Sequence, residues 1–299
     1  MERREKNTEL NGVFAVDKPS GFTSFDVVAK LRGLLKIRKI GHGGTLDPMA
    51  TGVLPIFIGK ATKAVDLVEP QIKRYTATAR FGIKTDTGDI TGSIIQSNNI
   101  FPERADILGT IKSFIGEIEQ IPPMYSAIKS EGKRLYNIAR EGKTIERKPR
   151  KITVFSINLL EYDNVKKEIR IDVLCSKGSY IRTLVEDIAA ASGALSVLSE
   201  LRRTKSGRFE EDRCLSLTTV ERMTASYDYS FINTTDSLFS DYRIINLTTQ
   251  QEKLFLNGIK INIADTVSEG ERVRVFGEKG FLALAGITDR KLISIVRFI

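Results

Sequence analysis

The chain has 299 residues, 41% of them hydrophobic, which is enough for one large core or two smaller ones. It carries 46 Lys and Arg against 37 Asp and Glu, a formal net charge of +9. Cys175 and Cys214 are isolated in the sequence, which excludes a disulfide framework and a Cys-rich zinc site. His42 is the only histidine. No segment approaches the roughly 20 apolar residues of a membrane span, and the charged segment 1–10 is predicted to be a flexible tail rather than a signal peptide. We therefore expect a cytoplasmic protein without membrane contact.

Alternating strands and helices are predicted in the first half of the chain. Thr23 or Ser24 is a good N-cap for an amphipathic helix that ends at Leu35. The segment 75–81 (YTATARF) alternates at period two and is rich in β-forming residues, which predicts a strand. The other predicted elements are a strand at 13–16, a buried strand at 53–58, a short helix at 62–68 and a helix at 102–114.

The second half begins with a basic segment, 121–151, that is predicted to be a thumb-like loop with a short helical piece, able to move against a ligand. The elements predicted after it are antiparallel strands at 152–160 and 169–175, a helix at 180–191, a second helical run ending at 202–204, a Ser/Thr/Asp-rich boundary at 230–243, a short helix at 250–256 and β-runs at 273–276, 281–285 and 292–298. Together they predict an α/β (α+β) fold, with a mixed, mainly antiparallel sheet flanked by helices and a small β-barrel-like C-terminal domain.

The positive charge is concentrated in two segments. Residues 129–151 contain nine Lys or Arg and three Glu, and residues 30–39 contain five basic residues and no acidic one. Clusters of this kind are typical of proteins that bind a polyanion, although a merely solvated basic face is the alternative. Tyr125 and Tyr136 lie in or beside the larger cluster, which favours nucleic acid.

Asp47 lies in the segment 41–55 (GHGGTLDPMATGVLP), where small residues and prolines surround one carboxylate. Glycine allows another chain to approach closely, so the loop could hold Asp47 where a large ligand reaches it. An ordinary Asp-Pro turn is the alternative interpretation. A phosphate-binding loop is excluded because Leu54 stands where that motif needs glycine, and Ala61 follows Gly59-Lys60. An RNA methyltransferase lacks support because neither a cofactor-binding glycine motif nor a suitably placed cysteine is present.

The segment 41–55 resembles, without a gap, the catalytic motif of the TruB-type tRNA pseudouridine synthases. Five more segments resemble motifs of this family and follow its order along the chain. They are 16–24 (VDKPSGFTS), 73–75 (KRY), 122–127 (PPMYSA), 176–184 (SKGSYIRTL) and 201–204 (LRRT). Two departures are visible: Gly43 stands where the family more often has threonine, and the usual sequence ahead of Leu201 is replaced by Leu195-Ser196-Val197.

The resemblance implies a pseudouridine synthase fold and isomerisation of a T-loop uridine, position 55 of transfer RNA, to pseudouridine without a cofactor. It places Asp47 as the nucleophile, and it leaves open whether the carboxylate attacks the base, attacks the sugar or abstracts a proton. It places Arg182 against Asp47, where a guanidinium would hold the carboxylate in a fixed fork and keep it ionised. It assigns Tyr75 to stacking on the flipped base, although Tyr75 could equally be a core residue of its strand.

Four further residues are predicted to bind the substrate. By resemblance, Tyr180 and Leu201 line the uridine pocket. His42 is expected to wedge into the RNA loop or pack against it rather than to act as a base. Lys18 is expected to be structural or to face a phosphate rather than to be catalytic.

The predicted partner is the T arm of transfer RNA, bound by a monomer without a guide RNA. The predicted domains are a catalytic domain at 11–240 and a PUA-like RNA-binding domain at 244–299. The PUA assignment depends on position and β content, and a capping domain with little RNA contact is the alternative. Two rival functions use the same surfaces: a guide-RNA-dependent relative, and a non-enzymatic RNA-binding or RNA-folding module.

Overall fold

Two β-sheets organise the described part of the computed structural model, residues 10–68, 72–126, 128–130, 132–263 and 268–299. The predicted tail falls mostly on residues 1–9, outside this part, and its last residue, Leu10, packs against the core. The strands are β1 Gly12–Lys18, β2 Ile40–His42, β3 Thr51–Ile58, β4 Ile72–Phe81, β5 Ile83–Thr85, β6 Ile94–Ser97, β7 Gly116–Gln120, β8 Lys129–Ser130, β9 Lys133–Arg134, β10 Arg150–Asp163, β11 Glu168–Ser176, β12 Ser196–Ser206, β13 Phe209–Glu210, β14 Leu215–Ser216, β15 Arg243–Asn246, β16 Ile261–Asn262, β17 Arg272–Gly277, β18 Gly280–Thr288 and β19 Lys291–Arg297. The helices are α1 Ser24–Leu35, α2 Arg104–Ser113, α3 Leu135–Arg140, α4 Ile181–Ala191, α5 Leu217–Ala225 and α6 Thr249–Leu256, with 3₁₀ segments at Gly59–Ala64, Glu211–Arg213 and Thr235–Phe239.

The larger sheet has the strand order β14-β1-β3-β12-β4-β11-β10-β7, with β2 beside β3 and β13 beside β12. Its pairs are antiparallel except β1 with β14 and β3 with β12. One core forms where α2 and α4 pack on β4, β10, β11 and β12, and a second forms where α1 and α5 pack on β1 and β3. The predicted fold class, a mixed and mainly antiparallel sheet flanked by helices, is confirmed.

Helix α1 begins where the sequence predicts. The Thr23 hydroxyl accepts a hydrogen bond from the Asp26 N–H at 3.0 Å, and the Asp26 carboxylate accepts one from the Thr23 N–H at 2.8 Å, a reciprocal capping box. The buried face, Val27, Val28, Leu31 and Leu35, packs on the sheet. The helix thereby fixes Ser24, its first residue, whose hydroxyl accepts a hydrogen bond from the Leu46 N–H in the loop that contains Asp47.

The second helical run predicted to end at 202–204 is wrong, because these residues belong to strand β12. Leu198 and Leu201 are spaced like helix neighbours, and both are buried. The register between β12 and β4 shifts twice, once near Leu198 and once near Arg203, so the inward-facing positions do not alternate strictly. Such irregularities insert an extra residue and disturb the period-two pattern from which a strand is recognised.

One other prediction needs correction, and several short strands were not predicted. The short helix predicted at 62–68 is a 3₁₀ segment that begins earlier and ends at Ala64. Several short strands had no sequence signal, among them β2, β7 and β13. The antiparallel pair predicted at 152–160 and 169–175 is confirmed as β10 and β11.

The C-terminal sheet has the order β15-β17-β18-β19-β16 and its own apolar core. It contains the three predicted β-runs, and its half-barrel form fits a PUA-like domain. A shared apolar cluster joins it to the larger domain, because Phe281 and Phe298 pack with Phe239 and with residues of the first 3₁₀ segment. Among the described residues, no helix is both long enough and apolar enough to cross a membrane.

Candidate active site

The loop 43–50 joins the antiparallel strands β2 and β3 and contains Asp47. It is tied at its base, where the Gly43 N–H donates to the Pro55 carbonyl at 2.8 Å. It is tied near its tip, where the Leu46 N–H donates to the Ser24 hydroxyl at 2.9 Å. These anchors leave the Asp47 side chain 32% exposed at the surface of the loop. The carboxylate is held on a fixed backbone and remains accessible to a ligand.

Arg182 holds Asp47 in a bidentate ion pair, as the resemblance implies. The Arg182 Nε lies 2.9 Å from Asp47 Oδ2, and a terminal nitrogen donates to Asp47 Oδ1 at 3.1 Å. Its other N–H groups donate to the carbonyls of Thr87 and Tyr125, each at 2.8 Å. Arg182 lies in the first turn of α4 and is almost fully buried. A buried guanidinium with four partners fixes both the position and the orientation of the carboxylate.

Two opposing influences act on the ionisation of Asp47. Removal from bulk water raises the pKa of the Asp47 carboxyl, and the nearby Asp89 carboxylate adds to this rise. The guanidinium of Arg182 opposes both, and Lys18 contributes in the same sense. Because an arginine stays protonated and makes the closest contact, we expect the ionised carboxylate to predominate at neutral pH.

Arg203, on β12, is a functional residue whose role the sequence did not reveal. It is completely buried, and its Nε donates to the Val53 carbonyl at 2.7 Å. Its terminal nitrogens donate to the Gly44 carbonyl at 3.1 Å and lie 3.5 Å from the Thr45 carbonyl. Arg203 therefore ties together the two arms of the Asp47 loop. Its motif, 201–204, was recognised only by resemblance, because a buried arginine that binds carbonyls has no local pattern.

Gly52 shows how closely β12 approaches this loop. Its φ of +99° lies in the left-handed region, and a Cβ built on it would stand 2.2 Å from the Arg203 carbonyl oxygen. Both the backbone angle and the contact therefore require glycine.

Tyr75, on β4, lies opposite Arg203 of β12, and Leu201 lies opposite Ala77; Tyr75 and Leu201 share one apolar cluster with Leu46. Tyr75 is 5% exposed, so stacking on a base requires part of its ring to be uncovered. Burial raises the pKa of the Tyr75 hydroxyl, the Arg203 guanidinium opposes the rise, and the Asp47 charge adds to it. Tyr75 is thus a core residue of its strand in this structure, and its stacking on a base stays a prediction.

Lys18 is buried, and its ammonium donates to three carbonyls: Pro19 at 2.9 Å, Phe22 at 2.6 Å and Pro48 at 3.1 Å. All three N–H groups are therefore used inside the protein, and none is left for a phosphate. Of the two predicted roles, these contacts fit the structural one. Lys18 ties the turn before α1 to the residue that follows Asp47.

His42 directly precedes the Asp47 loop, and Tyr180 lines a cavity together with Gly43 and Gly44 of that loop. His42 ends β2 opposite Ile56, and burial together with the charge of Arg203 lowers the pKa of its imidazole, so the ring is neutral at pH 7. Tyr180 precedes α4, and its backbone N–H and carbonyl pair with the Gln120 side-chain amide at 2.8 and 3.0 Å. Burial raises the pKa of the Tyr180 hydroxyl, and the Asp47 charge adds to the rise.

No group of three or more His, Cys, Asp or Glu side chains that could hold a metal ion occurs within the described ranges. The closest group to Asp47 is instead the Arg182 guanidinium, with Asp89 and Lys18 contributing at longer range. The guanidinium can orient and stabilise the carboxylate.

Comparison with known proteins assigns the chain to a family. Residues 32–181 match the TruB family pseudouridylate synthase N-terminal domain, and residues 182–239 match the tRNA pseudouridylate synthase B C-terminal domain. A tRNA pseudouridine synthase B of Francisella philomiragia is 41% identical over 97% of this chain and 96% of its own length. The corresponding protein of Clostridium tetani is 40% identical over 92% of this chain and 95% of its own length.

Among solved structures, a chain in a crystal structure of a Cbf5–Nop10–Gar1 complex is 26% identical, with a TM-score of 0.70 over 96% of this chain and 85% of that chain. A chain in an H/ACA RNP bound to a substrate RNA containing 2′-deoxyuridine is also 26% identical, with a TM-score of 0.69 over 96% and 85% of the two chains. The sequence relatives cover nearly the whole chain, and the structural relatives share its fold. The chain therefore belongs to the TruB family of pseudouridylate synthases.

Proposed function

We propose that this protein converts one uridine in the T loop of transfer RNA, position 55, to pseudouridine, with Asp47 as the nucleophile. The observation that carries the proposal is the bidentate pair between Asp47 and the buried Arg182, on a loop that leaves the carboxylate accessible. Relatives named tRNA pseudouridine synthase B, about 40% identical over nearly the full length, support the substrate class.

The reaction breaks the bond between N1 of uracil and C1′ of ribose, turns the base and joins C5 to C1′; C5 then loses its proton and N1 gains one, so that the product is an isomer of uridine. A carboxylate nucleophile divides this change into two easier steps, and no cofactor is needed. Arg182 keeps the Asp47 carboxylate ionised and fixes its orientation, while Arg203 and Lys18 hold the loop that contains Asp47. Tyr75 and Leu201 form the floor of the site beneath the base. These roles are compatible with attack on either the base or the sugar, and with proton abstraction.

Access to the uridine requires base flipping, because the target lies inside a folded RNA loop. Flipping costs a few kcal/mol, and stacking on an aromatic ring returns about 1–3 kcal/mol. Tyr75 supplies that ring, and His42, neutral at pH 7, supplies a flat surface for the vacated position in the RNA. The thumb, 121–151, contributes basic residues and contacts Arg182 through the Tyr125 carbonyl. Movement of the thumb would therefore act directly on the residue that orients Asp47.

We further propose that the protein acts as a monomer, without a guide RNA, in the cytoplasm where transfer RNA is available. The sequence is about 40% identical to relatives named tRNA pseudouridine synthase B and 26% identical to the chain in the Cbf5 complex, which favours the form without a guide RNA. We assign residues 11–240 to catalysis and residues 244–299 to an RNA-binding PUA-like domain. The shared apolar cluster between the two parts supports a fixed relative position.

A modification assay tests the proposed function. The protein alone is incubated with an unmodified transfer-RNA transcript, and pseudouridine is mapped at base resolution. A second transcript carries cytidine in place of the T-loop uridine. We expect one new pseudouridine in the T loop of the first transcript and none in the second. Modification elsewhere would overturn the site assignment. No modification despite tight binding would favour a guide-dependent enzyme or an RNA-binding module.

A further inference from the structure

A cavity of about 460 Å³ lies beside the catalytic loop, between Gly43-Gly44 and the start of β10. Its lining includes the apolar side chains Phe57, Ile152 and Phe209 and the basic side chains Lys73, Arg150 and Lys177. The cavity thus joins an apolar surface to a group of cations, a few residues away from Asp47 along the chain.

Three cations of this lining have no ion-pair partner among the described residues. Within the part of the chain that the structure describes, no ion pair joins Lys73, Arg150 or Lys177 to an Asp or Glu. Lys151 also faces the cavity, but it pairs with Glu117 at 2.9 Å. Asp66 is the one acidic residue in the described lining. The cavity therefore has an excess of positive charge, which an anion would neutralise.

Lys73 lies deepest in this group. A Cβ built on Gly44 would stand 3.0 Å from the Lys73 Nζ, so the ammonium rests against the backbone of the catalytic loop. The buried guanidinium of Arg203 lies next to it, because the same Cβ would be 3.6 Å from an Arg203 terminal nitrogen. Burial, reinforced by the charge of Arg203, lowers the pKa of Lys73 to about 8. Two cations held together in partial isolation from water form a strong site for an anion.

We propose that this cavity binds one phosphodiester of the RNA substrate, next to the target nucleotide, through Lys73 with Lys177 and Arg150. The apolar side chains of the lining, Phe57, Ile152 and Phe209, then contact the nucleoside attached to that phosphate. A cavity of this volume has room for one nucleotide beside the base that reaches Asp47. This inference rests on the proposed function for the identity of the RNA, and it adds a second, separate point of recognition.

The site suits a phosphodiester better than a free carboxylate or an apolar ligand. Its cations lie at the ends of three neighbouring strands of one sheet, because Lys73 is in β4, Arg150 begins β10 and Lys177 follows β11, so that more than one cation is available to the several oxygens of a phosphate. Its position beside the loop of Asp47 means that a phosphate bound here would set the register of the RNA relative to the nucleophile. Lys73 would thus contribute to binding and to placement of the uridine.

The test combines a protein variant with a modified RNA. Each phosphodiester flanking the target uridine in a T-arm stem-loop is replaced in turn by a neutral methylphosphonate. Binding and modification are measured with the wild-type protein, with Lys73→Met and with Lys112→Met, a control on exposed α2 outside the cavity. Because the RNA modifications use the wild-type protein, they test the site even where a variant folds poorly.

We expect one methylphosphonate position to weaken wild-type binding by roughly tenfold, and Lys73→Met to weaken binding of unmodified RNA by a similar factor. At that position, Lys73→Met combined with the methylphosphonate should weaken binding no more than either change alone. At the other positions, a methylphosphonate should weaken binding by Lys73→Met as much as it weakens binding by the wild type. Lys73→Met should also reduce the slope of log Kd against log salt by about 0.7–0.9. Lys112→Met should bind like the wild type.

The phosphate site would be overturned if Lys73→Met and the methylphosphonate weakened binding additively at every position, or if Lys73→Met bound the RNA as tightly as the wild type. Pseudouridine formation by the wild-type protein is scored separately. Coupled binding without any pseudouridine would overturn the proposed function and leave the phosphate site standing. Pseudouridine formation with additive effects of Lys73→Met and the methylphosphonates would overturn the phosphate site and leave the proposed function standing.

Discussion

Replacement of Arg182 by lysine probes how strongly the reaction depends on the orientation of Asp47. Arg182 contacts both carboxylate oxygens, at 2.9 and 3.1 Å, and also binds the carbonyls of Thr87 and Tyr125. Lysine keeps the charge, so Asp47 stays ionised, but its single nitrogen cannot form the fork. Loss of one charge-assisted hydrogen bond costs about 1.5–3 kcal/mol. If that cost falls on the transition state, it corresponds to a roughly 10- to 150-fold lower rate.

The assay is single-turnover pseudouridine formation at saturating RNA, with Kd measured on the same preparations. We expect the rate constant of the chemical step in Arg182→Lys to fall by this factor, with Kd for the RNA little changed. Arg202→Lys is a matched control, because Arg202 forms a similar two-pronged pair with Asp17, at 3.0 Å on each side, away from Asp47. A rate for Arg182→Lys equal to that of the Arg202→Lys control would refute the orienting role. So would a loss confined to Kd.

Three further outcomes follow from the same contacts. Gly52→Ala should lower the free energy of unfolding by about 3 kcal/mol or more, measured by denaturant titration, since it combines a φ of +99° with a Cβ 2.2 Å from a carbonyl oxygen. Gly109→Ala, within helix α2 with no atom near its Cβ, should be neutral or stabilising by up to about 1 kcal/mol, and equal destabilisation of both variants would contradict this reasoning. Lys18→Met leaves three carbonyls without their donor and should destabilise the protein by about 2 kcal/mol or more, whereas unchanged stability with weaker RNA binding would favour a phosphate-facing role. Finally, KM for RNA should rise above about pH 8, because burial lowers the pKa of Lys73 to about 8, while the Cys175 thiol, with its pKa raised to about 11, stays neutral. The pKa of Lys18 is also lowered to about 8, so the rise should be absent in Lys73→Met, and a KM independent of pH from 7 to 9 in the wild type would contradict the assignment to Lys73.

The sequence predicts the regular elements well where local pattern and tertiary environment agree. The start of α1 follows from Thr23 and Asp26, which satisfy each other's backbone groups without outside help. Strand β4 was predicted because it alternates through the centre of the sheet. Strand β12 was missed because its two register shifts disturb that alternation.

The site was only partly predictable. Asp47 has a recognisable loop around it, and the resemblance correctly placed Arg182 against it. The role of Arg203 depends on carbonyls about 150 residues away along the chain, at Val53, and no local pattern encodes such a contact. The same reason explains Lys18, whose partner Pro48 is brought near only when β1 and β3 pair. Long-range contacts of buried cations with carbonyls therefore emerge only from the folded structure.

The single-turnover rate of Asp47→Asn with RNA bound at saturation tests the central claim most directly. Asparagine keeps the size of the side chain and can still contact Arg182, but it lacks the negative charge and cannot act as the nucleophile. We expect pseudouridine formation to fall by roughly 10⁴-fold or more while Kd for the RNA stays within about threefold of the wild-type value. A variant that still forms pseudouridine at a rate close to that of the wild type would contradict the assignment of Asp47 as the nucleophile.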